Sequence, residues 1–113
     1  MKTQKNDRYF VGVDIGGTKI LAIVVNNNFE VISRCKRKTK GRNKDTKPET
    51  RIIETINLAI EQAGNCPISG IGLGVPGPVD YKKGIVVTTP NIGWENFALG
   101  DIISKEFSVP AVV

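Results

Sequence analysis

Asp14-Ile15-Gly16-Gly17-Thr18-Lys19 lies between two apolar runs, Tyr9–Val13 and Ile20–Val25. Apolar runs joined through Gly-Gly read as a β-hairpin. Glycines take positive φ without steric cost, so the N–H groups of such a turn can converge on one point and hold an anion. Lys19 adds a positive charge, and Thr18 adds a hydroxyl donor. Asp14 would repel a bare phosphate. A Mg²⁺ between them removes the conflict, because that ion is held by one or two carboxylates, waters and nucleotide phosphates. A plainer reading stands beside this one: Gly-Gly hairpins are common, and a strand-end aspartate often caps its turn. The stretch is not a Walker A loop, which opens a helix. Ile20–Val25 is strand-like.

Working outward, Tyr9–Ile15, Lys19–Val25 and Phe29–Lys36 read as successive strands with turns at Gly16-Gly17 and Asn26-Asn27-Asn28. Connections this short make an antiparallel meander. Thr46 and Glu49 have capping-box spacing, and Pro48 suits a first helical turn. Ile52, Ile56, Ala59, Ile60 and Ala63 then recur at helical spacing, with Gly64 placed to end the helix. Ser69–Val75 reads as a glycine-rich strand, and Pro76-Gly77-Pro78-Val79-Asp80 breaks regular structure. Ile85–Thr89 reads as a strand and Pro90–Glu95 as a loop. Phe97–Phe107 reads as a helix with Leu99, Ile102, Ile103 and Phe107 inward. Pro110–Val113 starts a buried strand, and a chain ending there reads as a fragment. The order predicts an α/β fold with a mixed five-stranded sheet. Three antiparallel strands come first, then strands parallel to the first, joined by crossover helices.

The 113 residues suffice for one domain with one core. No apolar run nears the ~20 residues of a membrane span. Residues 1–8 lack the apolar core of a secretion signal. Cys35 and Cys66 have no metal-ligand spacing, and no histidine accompanies them. A reduced, cytoplasmic protein with no membrane partner is the expectation. Eight of the 16 Lys and Arg fall between Arg34 and Lys47, against the single acid Asp45. That segment carries +7 of a total of +5, which leaves −2 on the remainder. The run has no aromatic residue for stacking and no apolar anchor between Cys35 and Ile52. It reads as a solvated loop rather than a nucleic-acid contact.

Gly72-x-Gly74-x-x-Gly77 formally matches a dinucleotide fingerprint. Its third glycine should lie in an opening helix, but Pro76 and Pro78 flank it. The prolines fix an extended loop, and the glycines let something approach its backbone closely. A plain strand-end loop is the alternative.

Three ordered segments together resemble the repressor–open-reading-frame–kinase (ROK) family of sugar kinases, and its bacterial glucokinases in particular. They are Asp14-x-Gly-Gly-Thr-Lys19, Gly70-Ile-Gly-Leu-Gly-Val-Pro-Gly-Pro-Val-Asp80 and Thr89-Pro-Asn-Ile-Gly-Trp94. The resemblance runs from about Phe10 to Val113. It implies an actin-like, ribonuclease-H-like domain, with residues 1–113 as the N-terminal lobe of a two-lobed ATP-dependent kinase and the C-terminal lobe absent. It implies that Asp14 helps to hold Mg²⁺ through water and that Gly16, Gly17, Thr18 and Lys19 lie near the nucleotide phosphates. Gly74, Pro76, Gly77 and Asn91 would lie on the sugar side. The Asn91 carboxamide can both donate to and accept from hydroxyls; closing a turn after Pro90 is its other reading. Asp80 resembles a loop aspartate with a structural role.

The family places its catalytic aspartate in a Glu-Asn-Asp-Ala-Asn-like segment just after the Val-Val strand. No catalytic residue is therefore expected in this chain, and residues 1–113 alone are expected to be inactive. The adenine pocket, a structural Zn²⁺ segment and any homo-oligomer contact would belong to the second lobe. The implied reaction is ATP-dependent phosphorylation of a hexose, glucose to glucose 6-phosphate. The alternatives are a sugar-responsive transcriptional regulator of the same family and a non-catalytic sugar- or nucleotide-binding module. The few residues before Tyr9 are too few for the regulator's helix-turn-helix. The hexose, and ATP against polyphosphate as donor, stay open.

Overall fold

Alternation along the first strand sets the two faces of the sheet. In β1 (Tyr9–Ile15), Tyr9, Val11, Val13 and Ile15 are buried, whereas Phe10, Gly12 and Asp14 point the other way. In β2 (Lys19–Asn26), Ile20, Ala22 and Val24 are buried; in β3 (Val31–Lys38), Ser33 and Cys35 are. A period of two with one covered face is the signature of half-buried strands. The cover is α1 (Pro48–Gln62), which buries Ile52, Thr55, Ile56 and Ala59 over β2 and β3. The buried Ser33 hydroxyl donates to the Ala59 carbonyl at 2.6 Å, so this polar group is not stranded beneath the helix. The computed structural model describes residues 7–40, 45–89 and 91–113.

The sheet order is β3-β2-β1-β4-β8, with β4 at Ile68–Gly74 and β8 at Ala111–Val112. β1, β2 and β3 are antiparallel neighbours, β4 runs parallel to β1, and β8 runs parallel to β4. This is the expected mixed five-stranded α/β sheet. A parallel neighbour needs a crossover, and α1 supplies it between β3 and β4. The helix α2 (Leu99–Phe107), which buries Leu99 and Ile103, leads into β8.

Several local expectations are corrected. The segment after β4 is not wholly irregular. β5 (Val79–Asp80), β6 (Ile85–Thr88) and β7 (Glu95–Phe97) form a small antiparallel sheet in that order. Strands of two and three residues carry no period to read. Phe97 belongs to β7 and stacks on Trp94, with ring centroids 4.5 Å apart, so α2 starts at Leu99 rather than Phe97. No capping box forms at α1. Its N-cap is Lys47, in extended backbone and without a side-chain cap. Pro48 sets this frame, because it holds the preceding residue extended and leaves Thr46 one position too early. The other end behaves as expected: Gly64 has φ +82, and Asn65 N–H reaches the Ile60 carbonyl at 2.9 Å.

The basic run is the larger correction. Its first part is strand: β3 extends to Lys38, and Thr39 is only 1% exposed. Arg37 pairs with Glu54 on α1 at 3.3 Å, and the Arg51 guanidinium donates to the Lys38 carbonyl at 3.1 Å. Residues 41–44 of that run, the tail at 1–6 and Pro90 lie outside the described residues. Cys35 and Cys66 are free and buried. Among the described residues no helix is long and apolar enough to cross a membrane.

Candidate functional site

The hairpin turn is built from two strands and clamped by a third. Ile15 pairs with Ile20, so Gly16–Lys19 form the turn, and Gly16 N–H donates to the Lys19 carbonyl at 2.8 Å. Thr39, just past the end of β3, holds the turn from outside. Its N–H donates to the Thr18 carbonyl at 2.8 Å, and its hydroxyl donates to the Gly16 carbonyl at 2.7 Å. The turn's shape is thus fixed without engaging its own side chains.

The expected reason for the two glycines is corrected here. Among the described residues the glycines with positive φ are Gly64, Gly77, Gly84 and Gly93, so neither Gly16 nor Gly17 uses that freedom. What they supply is clearance. A Cβ on Gly16 would stand 3.1 Å from the Lys19 carbonyl oxygen, and one on Gly17 would stand 3.1 Å from the Asn91 Cβ.

A cleft of about 360 Å³ opens beside the turn, lined by Asp14, Gly16, Gly17, Thr18, Lys19, Leu21 and Lys36. Asp14 is exposed on its rim. Among the described residues its carboxylate makes no hydrogen bond, and the ion pairs are Arg37–Glu54 and Arg51–Glu54. A turn-capping aspartate looks different: Asp80 accepts from Lys83 N–H at 3.2 Å. Asp14 is therefore not a cap. No group of three or more Asp, Glu, Cys and His comes together among the described residues. One open carboxylate beside a hydroxyl fits a Mg²⁺ carried mainly by phosphates and water, and does not fit a cation caged by protein alone.

The other two motifs arrive at the same end of the sheet. Asp14 pairs with Gly74 across the parallel β1–β4 register. The loop after β4 then carries the half-buried Pro76 and the exposed Gly77 to the small sheet, where Val87 N–H donates to the Pro78 carbonyl at 3.0 Å. Gly77 has φ +107, and a Cβ there would collide with the Thr88 carbonyl oxygen. Both conditions demand glycine. The last motif is a clasped loop. Thr89 N–H donates to the Trp94 carbonyl at 3.2 Å, and Trp94 N–H returns to the Thr89 hydroxyl at 3.1 Å. Trp94 is buried, and Asn91, with φ +68, stands out against Gly17.

Every sequence-nominated site residue is thus found at one end of the sheet, in two adjoining groups. Asp14 and Gly16–Lys19 line the cleft; Gly74, Pro76, Gly77 and Asn91 lie next to it, joined through the Asp14–Gly74 pairing and the Gly17–Asn91 contact. Sequence reasoning passed over Lys36, Thr39 and Thr89. The signal for the first two was the alternation through Ser33–Thr39, which continues the strand into the basic run.

The ROK family's sequence profile matches residues 10–113. A glucokinase of Halalkalibacterium halodurans is 30% identical over 110 residues, which is 96% of this chain and 33% of that protein. A xylose repressor of Caldicellulosiruptor bescii is 29% identical over 115 residues, covering all of this chain and 29% of that protein. Among solved structures, a ROK family glucokinase from Streptomyces griseus in complex with glucose and AMPPNP superposes with a TM-score of 0.72. It is 33% identical, and the match covers 93% of this chain and 32% of that one. The chain spans about a third of the length of the relatives it matches. Its sheet is that of the actin-like sugar kinases, and the chain belongs to the ROK family.

Proposed function

We propose that the intact protein transfers the γ-phosphoryl group of ATP to a hexose hydroxyl, the 6-hydroxyl of glucose, and that residues 1–113 are its N-terminal lobe. The observation that carries this reading is the open Asp14 carboxylate, beside Thr18 and Lys19 on a rigidly clamped turn. It stands in a chain 33% identical to a glucokinase that binds glucose and AMPPNP.

The roles follow from the chemistry of the groups. Lys19 and the Thr18 hydroxyl hold phosphate oxygens at the cleft. Gly16 and Gly17 leave room for the phosphates to come close to the backbone. Asp14 would hold a Mg²⁺, which would supply positive charge to offset that of the transferring phosphoryl group. Asn91, with the Gly74–Gly77 loop, orients sugar hydroxyls, since its carboxamide both donates and accepts. Phosphoryl transfer is catalysed mainly by such positioning and electrostatics. Among the described residues Asp14 is the one carboxylate lining the cleft, and it is assigned here to the metal, so the base that takes the hydroxyl proton is assigned to the second lobe.

The test is ADP release by the intact protein with ATP, Mg²⁺ and a panel of hexoses. Glucose should give the highest kcat/KM. No release with any hexose would overturn the kinase reading. The repressor relative supports a second reading, a sugar-responsive regulator. Sequence-specific DNA binding relieved by sugar, without turnover, would favour it.

A further inference from the structure

The basic run contributes a residue to the cleft that none of the three motifs contains. In β3, side chains alternate between the two faces of the sheet. Ser33 and Cys35 go to the core, and Arg37 follows them to Glu54 on α1. Arg34, Lys36 and Lys38 therefore share the opposite face, the one that carries Asp14. The registers place Lys36 opposite Leu21, Leu21 opposite Asp14, and Asp14 opposite Gly74, in one row across four strands. Lys36 lines the same cleft as Asp14 and Gly16–Lys19. Among the described residues it belongs to no ion pair.

The neighbouring pair reinforces the point. Lys19 sits directly opposite Lys38. Like charges at facing positions destabilise a strand pair, so this corner carries positive charge that local structure does not call for. With Lys19 and Lys36 lining the cleft beside the open Asp14 carboxylate, and Lys38 facing Lys19, the corner is net positive. An anion in the cleft relieves that repulsion.

We infer that Lys36 is a phosphate-contacting residue, holding the terminal phosphates of the nucleotide from the β3 side while Lys19 holds them from the turn. This rests on the reading of the cleft as a nucleotide site. Arg34 is the internal control. It lies on the same strand and face, but opposite Ile23 and outside the cleft lining.

The experiment is calorimetric titration of the intact protein with Mg²⁺–AMPPNP and, separately, with AMP, which lacks the terminal phosphates. Lys36→Met should weaken AMPPNP binding about tenfold or more, the loss expected of one charge-assisted contact. AMP binding should stay within about twofold, and Lys36→Arg should restore most of the AMPPNP affinity. Arg34→Met should change either ligand by less than about twofold. AMPPNP binding by Lys36→Met within about twofold of wild type, with Lys19→Met strongly weakened, would overturn the role of Lys36 and leave the nucleotide site standing. Equal losses in Lys36→Met and Arg34→Met would overturn a direct contact in favour of the diffuse field of the strand. No wild-type binding of either ligand would overturn the site reading and the Lys36 role together.

Discussion

Two hairpin turns stand at opposite ends of β2, and they use their own side chains in opposite ways. The far turn is closed by its own residues. Asn26 Oδ1 accepts from the N–H groups of Asn28 and Glu30 at 2.9 and 3.0 Å, and Phe29 N–H reaches the Asn26 carbonyl at 3.0 Å. The near turn is held by Thr39 from the neighbouring strand, and Asp14 keeps an open carboxylate. Both are short polar connections between apolar strands. A turn whose side chains satisfy its own backbone has little left for a ligand. A turn whose backbone is fixed from outside leaves its side chains to a ligand, on a frame that loses little freedom when it binds.

The difference can be broken experimentally, starting where the effect should be greatest. Lys19→Met in the intact protein should lower kcat/KM about a hundredfold, because a charge that stabilises the transferring group is gone. Its unfolding free energy should stay within about 0.5 kcal/mol, as for exposed residues generally. A smaller, mixed effect is expected for Thr39→Val. Removing the hydroxyl that holds Gly16 in a buried place should cost about 1–2 kcal/mol of stability. It should also raise the KM for ATP several-fold, as the turn loosens. Normal nucleotide kinetics in this variant would mean that the clamp is structural only. The smallest effect belongs to the far turn. Asn26→Ala should cost about 1 kcal/mol of stability through its lost backbone bonds, with kcat/KM unchanged. Altered turnover there would show that the two turns are not divided as described.

What the amino-acid sequence disclosed follows the same line between local and distant causes. The first hairpin and the α1 stripe were legible because turn residues and periodicity are local signals. The Gly64 stop was legible for the same reason. The capping box was misread by one residue, since Pro48 and Thr46 compete for the frame and spacing alone does not rank them. β5 and β7 are too short to have a period. The role of Gly16 and Gly17 was half legible. Their need for glycine shows in the sequence, but its cause is the Lys19 carbonyl and the Asn91 side chain, and the latter comes from a loop far along the chain. Lys36 was hidden by the same logic. Read along the chain it is one charge in a run, and only its pairing with Leu21 brings it to the cleft.

Asp14→Asn is the most direct test of the central claim, that the near turn is a metal–nucleotide site. The substitution keeps the shape and removes the charge. The account predicts a kcat lowered by about a hundredfold or more, a melting temperature within about 2 °C of wild type, and glucose affinity without nucleotide unchanged. A normal kcat with a lowered melting temperature would contradict it, and would return Asp14 to the part of a turn residue.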